Sequence, residues 1–184
     1  MRTCEPTEVC NQFGIGSDMS MVINIENGRE LRMSVVRILI VDDLDLWKNF
    51  ITVRLQERPD LHIVGFASDG LQAVQKAEEL QPDLILLDMM LPKLSGIEAA
   101  REIRRVSPKS KILFVSGESD LKSVRTAFQV GGSGYLWKME AAVWLLPGIE
   151  SALRGEHFVS PGLENCSDVF EERDSDLEDK ETDI

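Results

Sequence analysis

Four apolar runs in this 184-residue chain each end in a side chain that can do chemistry. Arg37-Ile38-Leu39-Ile40-Val41 leads into Asp42-Asp43, and Leu84-Ile85-Leu86-Leu87 into Asp88. Lys111-Ile112-Leu113-Phe114-Val115 leads into Ser116, and Ser133-Gly134-Tyr135-Leu136-Trp137 into Lys138. Short apolar runs bounded by turn residues read as strands buried on both faces, as in parallel sheets under helices. Open α/β sheets gather their chemistry at the carboxyl ends of such strands. Three carboxylates drawn to one edge repel one another, by roughly 4 kcal/mol for unit charges about 4 Å apart at an effective dielectric near 20. The cluster must be protonated, solvated or holding a cation, and all-oxygen ligation at a half-open site suits Mg²⁺. Asp88 can then act as a carboxylate nucleophile that forms an aspartyl phosphate. Ser116 and Lys138 can contact the oxygens of the transferred group, which is catalysis by position and charge.

The elements that must carry these groups follow from periodicity. Leu46, Trp47, Phe50, Ile51 and Leu55 recur with helical spacing until Pro59-Asp60 breaks the run. Leu61 to Ala67 reads as a second strand. Asp69-Gly70-Leu71-Gln72 resembles a helix cap, with Leu71, Val74, Ala77 and Leu80 as the buried stripe. Ser95-Gly96-Ile97-Glu98 fits a capping box, and its helix buries Ile97, Ala100, Ile103 and Val106 before Pro108. A fourth helix from Asp120 turns Leu121, Val124, Ala127 and Phe128 inward and stops at Gly131-Gly132. The last spans Ala141 to Arg154, where Pro147 predicts a kink or a late start. Strict alternation of strand and helix means an α/β fold: a flavodoxin-like (βα)5 doubly wound parallel sheet of order 2-1-3-4-5. In that order the first and third strands are neighbours, so Asp42, Asp43 and Asp88 meet.

Composition sets the limits. With 43% hydrophobic and 28% charged residues the chain is globular, and it has no apolar run of membrane-spanning length. Its amino end lacks a secretory pattern, and Cys4, Cys10 and Cys166 form neither a disulfide framework nor a zinc motif, so a cytoplasmic setting is expected. The net charge of −12 is uneven: from Glu164 onward ten acidic residues face only Arg173 and Lys180. No clustered basic face marks a nucleic-acid binder. Residues 1–34 show breakers and no clear period, and are expected to be loop, disorder, or the product of a mis-assigned start upstream of Met33. Residues 35–156 form the expected domain, and 157–184 a linker remnant and acidic disordered tail.

The motifs together resemble the receiver domains of two-component response regulators, of the CheY-like kind and closest to NarL/LuxR-type receivers. They are Ile40-Val41-Asp42-Asp43, Leu87-Asp88-Met89-Met90-Leu91-Pro92 with Gly96, Val115-Ser116-Gly117, and Gly134-Tyr135-Leu136-Trp137-Lys138. The resemblance implies that Asp88 is the phosphoacceptor, and that Asp42, Asp43 and the Met90 carbonyl join it in holding Mg²⁺. It implies that Ser116 and Lys138 sense the phosphoryl group, and that Tyr135 is an aromatic switch moving with Ser116. A sensor histidine kinase or phosphotransfer protein is then the donor, with the chain an acceptor and not an enzyme acting on other substrates. Leu44 and Gly132 depart from the subfamily's habit of a polar residue and an alanine, and Met90 puts an apolar side chain where some relatives have an amide or acid. NarL/LuxR relatives continue into a helix-turn-helix, but no recognition helix can be built from the acidic residues after Leu163. A stand-alone receiver acting by protein contact is therefore expected, with no direct DNA binding; phosphorylation-driven homodimerisation is left open. The alternative is a receiver fold used as a phosphorylation-independent interaction module. A metal-dependent phosphohydrolase ranks last, because Met90 stands where a general acid would. Trp47, Trp137 and Trp144 are expected to pack, and neither His62 nor His157 has a phosphotransfer setting.

Overall fold

The computed structural model describes residues 23–26, 29–32 and 35–163. They belong to two units, Met1–Val35 and Val36–Ile184. In the first, Ile23–Glu26 pairs antiparallel with Arg29–Arg32, Glu26 lying opposite Arg29. The expectation of loop or disorder through residue 34 is corrected over these strands. Asn27-Gly28 between two short runs is a hairpin signature, and Ile23, Ile25 and Leu31 supply the alternation. The proposed start at Met33 falls outside the described residues.

The second unit alternates β1 (Val36–Val41), α1 (Asp45–Leu55), β2 (Leu61–Ala67), α2 (Gly70–Leu80), β3 (Leu84–Leu87) and α3 (Gly96–Val106). It continues with β4 (Lys111–Ser116), α4 (Leu121–Gln129), β5 (Gly134–Trp137), a 3-10 turn (Lys138–Glu140), α5 (Ala141–Arg154) and β6 (Phe158–Val159). The sheet order is β2-β1-β3-β4-β5-β6, parallel throughout, which is the flavodoxin-like arrangement with one strand more than expected. Phe158-Val159 is too short for periodicity to reveal, yet it pairs with Gly134-Tyr135. The stretch from 158 to 163 thus completes the sheet instead of beginning a linker.

All four residues of β3 are buried, so the central strand is apolar on both faces. One core layer joins Leu39, Ile85, Phe114 and Tyr135 to α2, α3 and α4, and the other joins Ile38, Leu86 and Leu136 to α1 and α5. Helix starts follow the sequence: the Asp69 carboxylate accepts Gln72 N–H, Ser95 and Glu98 close both halves of a capping box, and Asp120 accepts Ser123 N–H. The stripes are less faithful. Leu46 is 79% exposed and Leu71 56%, while Ala73 and Ala77 carry α2 onto the core. Leu71 stands about 200° around the helix from Ala73, and the small alanines let α2 lie close. Leu121 is also exposed. α5 begins at Ala141, so the late start does not occur; exposed Pro147 leaves the Val143 carbonyl on a face open to water.

Candidate functional site

The parallel ladder brings the acidic residues together. Val41 lies opposite Leu87, so Asp42 and Asp88 leave neighbouring strands at one level. Two backbone bonds extend that alignment past the strand ends, from Asp88 N–H to the Val41 carbonyl at 3.0 Å and from Asp42 N–H to the Ala67 carbonyl at 3.1 Å. Asp43, the next residue, is exposed, and one carboxylate oxygen from each of Asp42, Asp43 and Asp88 falls within 4.8 Å of the others. On the other side Ser116 pairs with Trp137, which delivers Lys138 one residue beyond.

Lys138 joins the two buried acids. Its Nζ donates to Asp42 Oδ2 and to Asp88 Oδ2, each at 2.7 Å. The other oxygens are also engaged, Asp42 Oδ1 by Leu44 N–H at 2.9 Å and Asp88 Oδ1 by Met90 N–H at 3.2 Å. Burial pushes the Asp88 carboxyl above the ordinary aspartate range, against the pull of Lys138. Burial by itself would lower the Lys138 ammonium, but bonds to Asp42 and Asp88 hold it above the usual lysine value. With all groups ionised, three carboxylates against one bridging ammonium leave two negative charges, which fits a divalent oxygen-ligated cation such as Mg²⁺.

The loops around the pocket are tightly built. Gly96 N–H donates to the Met89 carbonyl at 2.9 Å, and a Cβ at Gly96 would lie 2.0 Å from the Asp88 carbonyl oxygen. Only glycine lets α3 start so close to the strand that ends in Asp88. The Met90 side chain is 68% exposed and turned to solvent. Lys93, at φ 66°, reaches the buried Asp69 carboxylate at 2.5 Å and ties the β3–α3 loop to the start of α2. Ser116 and Tyr135 are both fully buried and meet at one loop residue: Ser116 Oγ accepts Glu118 N–H at 3.1 Å, and Tyr135 Oη donates to the Glu118 carbonyl at 2.9 Å.

The arrangement is a half-buried acidic pocket bridged by one lysine. Residues 38–148 match the response regulator receiver domain. The chain belongs to this family. Response regulator GacA of Pseudomonas viridiflava is 32% identical over 129 residues, 70% of this chain and 60% of that protein. Transcriptional regulatory protein LiaR of Bacillus subtilis is 33% identical over 122 residues, 66% of this chain and 58% of that protein. The chain thus spans less than two thirds of the length of these relatives. Among solved structures, a LuxR-family two-component response regulator from Aurantimonas sp. SI85-9A1 superposes with a TM-score of 0.68 at 31% identity, covering 72% of this chain and 94% of that one. The response regulator domain of Thermotoga maritima CheB gives 0.61 at 32% identity, covering 65% and 97%. Receiver domains are phosphoacceptors that interact with histidine kinases or phosphotransfer proteins and bind Mg²⁺ through an acidic pocket. No helix among the described residues is long and apolar enough to cross a membrane.

Some contacts of this receiver were not legible in advance. The Lys138 ammonium lies 5.1 Å from the Trp47 ring centroid, so Trp47 does more than pack. Trp47 is held edge-on by Phe50 at 5.2 Å. Lys48 is buried on α1 and donates to Ser68 Oγ at 2.7 Å, binding α1 to the end of β2. A lysine in an otherwise apolar helical stripe was the available clue to that bond.

Proposed function

We propose that Asp88 is the phosphoacceptor of this receiver, charged from the phosphohistidine of a kinase or phosphotransfer protein. An Asp88 carboxylate oxygen attacks phosphorus in line, the P–N bond breaks, and the histidine leaves with the electron pair of that bond. The product is a mixed anhydride on the aspartate. Asp42, Asp43 and Asp88, with the Met90 carbonyl, are the proposed ligands of Mg²⁺, which when bound offsets negative charge on the transferred group. Lys138 holds its ammonium where a phosphoryl oxygen on Asp88 would need it, and Ser116 supplies a hydroxyl from the neighbouring strand end. Tyr135 and Ser116 form the proposed switch, since both bond to Glu118 and a shift of one Glu118 contact disturbs the other.

The observation that carries this reading is the single lysine shared between Asp42 and Asp88 at 2.7 Å to each. Such a pocket is poised to accept a group that brings its own negative charge together with a cation. For the output we propose protein contact in place of DNA, with the receiver working in the cytoplasm. The stretch after Leu163, with ten acidic residues against two basic ones, would be repelled by a phosphate backbone. Incubation with Mg²⁺ and a small acyl phosphate should add one phosphoryl group, seen by intact mass. Asp88→Asn should abolish the addition, and labelling that survives the substitution overturns the assignment. Partner binding unchanged by Asp88→Asn and by chelation would instead favour the phosphorylation-independent module.

A further inference from the structure

The segment that follows α5 is bonded on both sides of Lys138, to a backbone N–H before it and to a side-chain carboxylate after it. Before it, Trp137 N–H donates to Ser160 Oγ at 2.8 Å. After it, the Glu140 carboxylate accepts Gly162 N–H, at 3.1 Å to one oxygen and 3.0 Å to the other. The grip is itself anchored: Ser160 is buried, its N–H donates to the Tyr135 carbonyl at 3.0 Å, and Leu163 is buried in the core layer that holds Tyr135. The choice of serine has a local cause. β6 ends at Val159, so the ladder stops short of Trp137, and the Ser160 side-chain oxygen takes over as acceptor for the last N–H of β5.

Lys138 has little freedom to find its place alone. Its long side chain must present one ammonium to two carboxylates on different strands, with the Trp47 ring against it. The rotation of the Lys138 backbone sets where that side chain starts, and Trp137 and Glu140 are the handles on that rotation. We propose that Ser160 and Glu140 are positioning residues for Lys138, so that the segment Phe158–Leu163 is a working part of the phosphoacceptor site. The effect on phosphorylation rests on Asp88 being the acceptor; the effect on Lys138 placement does not.

The test uses the whole chain with Ser160→Ala, Ser160→Thr and Glu140→Gln, beside Lys138→Ala as reference. Two readouts are taken. The ¹H–¹⁵N signal of the Trp47 indole, assigned with Trp47→Phe, reports the ammonium beside that ring without any phosphorylation. Phosphoryl uptake from a small acyl phosphate with Mg²⁺ is followed across donor concentration and split into a maximal rate and a half-saturating concentration. Ser160→Ala should move the Trp47 signal toward its position in Lys138→Ala and lower the maximal rate by roughly tenfold, since small misplacements of a charge-stabilising group cost rate steeply. The half-saturating concentration should stay put, and Ser160→Thr, which keeps the hydroxyl, should retain wild-type values. Should Ser160→Ala fail to fold, Glu140→Gln carries the same expectation with a smaller perturbation. A Trp47 signal unmoved in the folded variants, with only the melting temperature lowered, overturns the proposal. A wild-type chain that takes up no phosphoryl group overturns the assignment of Asp88, while the Trp47 signal still decides the positioning.

Discussion

Tyr135 gives its hydroxyl hydrogen to the backbone carbonyl of Glu118, 2.9 Å away, and the whole side chain is buried. Burial, only partly opposed by the neighbouring Ser116 hydroxyl, pushes this phenol up to about 12. The unfolded chain would release the proton near the ordinary value of about 10. The folded state therefore holds a proton that the unfolded state has lost, and stability falls as pH rises from about 10 toward 12. Because the chain has one tyrosine, absorbance titration at the phenolate band should show a single late transition that shifts down on unfolding. Tyr135→Phe should remove the tyrosine's share of that pH dependence, leaving the share of Lys138, and cost about 1 kcal/mol in urea unfolding at neutral pH.

The charge imbalance at the pocket predicts opposite effects for two substitutions. Lys138→Ala leaves the buried pair Asp42 and Asp88 without its bridging ammonium and should cost about 3 to 5 kcal/mol in chelator, with part recovered on adding Mg²⁺. Asp88→Asn removes one of the excess charges and should leave the melting temperature in chelator equal or higher. Thermal melts with and without Mg²⁺ check both signs.

Gly96 has no room for a side chain. Gly96→Ala places a carbon against the Asp88 carbonyl, a backbone atom that cannot step aside, and should cost at least about 3 kcal/mol. Gly117, where an added Cβ meets nothing within 4 Å, is the control, and Gly117→Ala should change urea unfolding by less than about 0.5 kcal/mol.

Arg58 clasps Asp60 through two bonds, at 2.9 and 2.8 Å, and also reaches Glu150 on α5. The Arg58 guanidinium holds the Asp60 carboxyl below the usual range. That contribution is present above the ordinary aspartate pKa of about 3.9 and is lost as pH falls through the lower folded value. Arg58→Ala should cost about 1 kcal/mol at low salt, less at high salt, and nothing once acid has neutralised both partners. Urea unfolding at two salt concentrations and a pH series reads all three.

The fold and the placing of the candidate site residues at strand ends were legible because their signals are local. Uniformly apolar runs as short as Leu84 to Leu87, bounded by turn residues, read as central strands, and Asp69, Ser95 and Asp120 announce helix starts by their own chemistry. Leu46 and Leu71 misled because apolar spacing identifies a helix before it identifies which side of that helix meets the sheet. Asn27-Gly28 is a hairpin signature, but the paired runs on either side are only four residues each, too short for period alone to mark as strands.

By itself the sequence determined which residues stand at the strand ends, and so which atoms are available: three carboxylates, a hydroxyl and an ammonium. Each choice is made within a few residues of chain, by side-chain type and period. The tertiary structure alone decided what those atoms touch: Lys138 shared between Asp42 and Asp88 with Trp47 beside it, and Ser160 holding the backbone before Lys138. Those partners lie far apart in the chain and meet only because parallel pairing sets strand ends level and brings the chain back along β5 after the last helix. No local pattern records a contact whose two halves are brought together by the packing of everything between them.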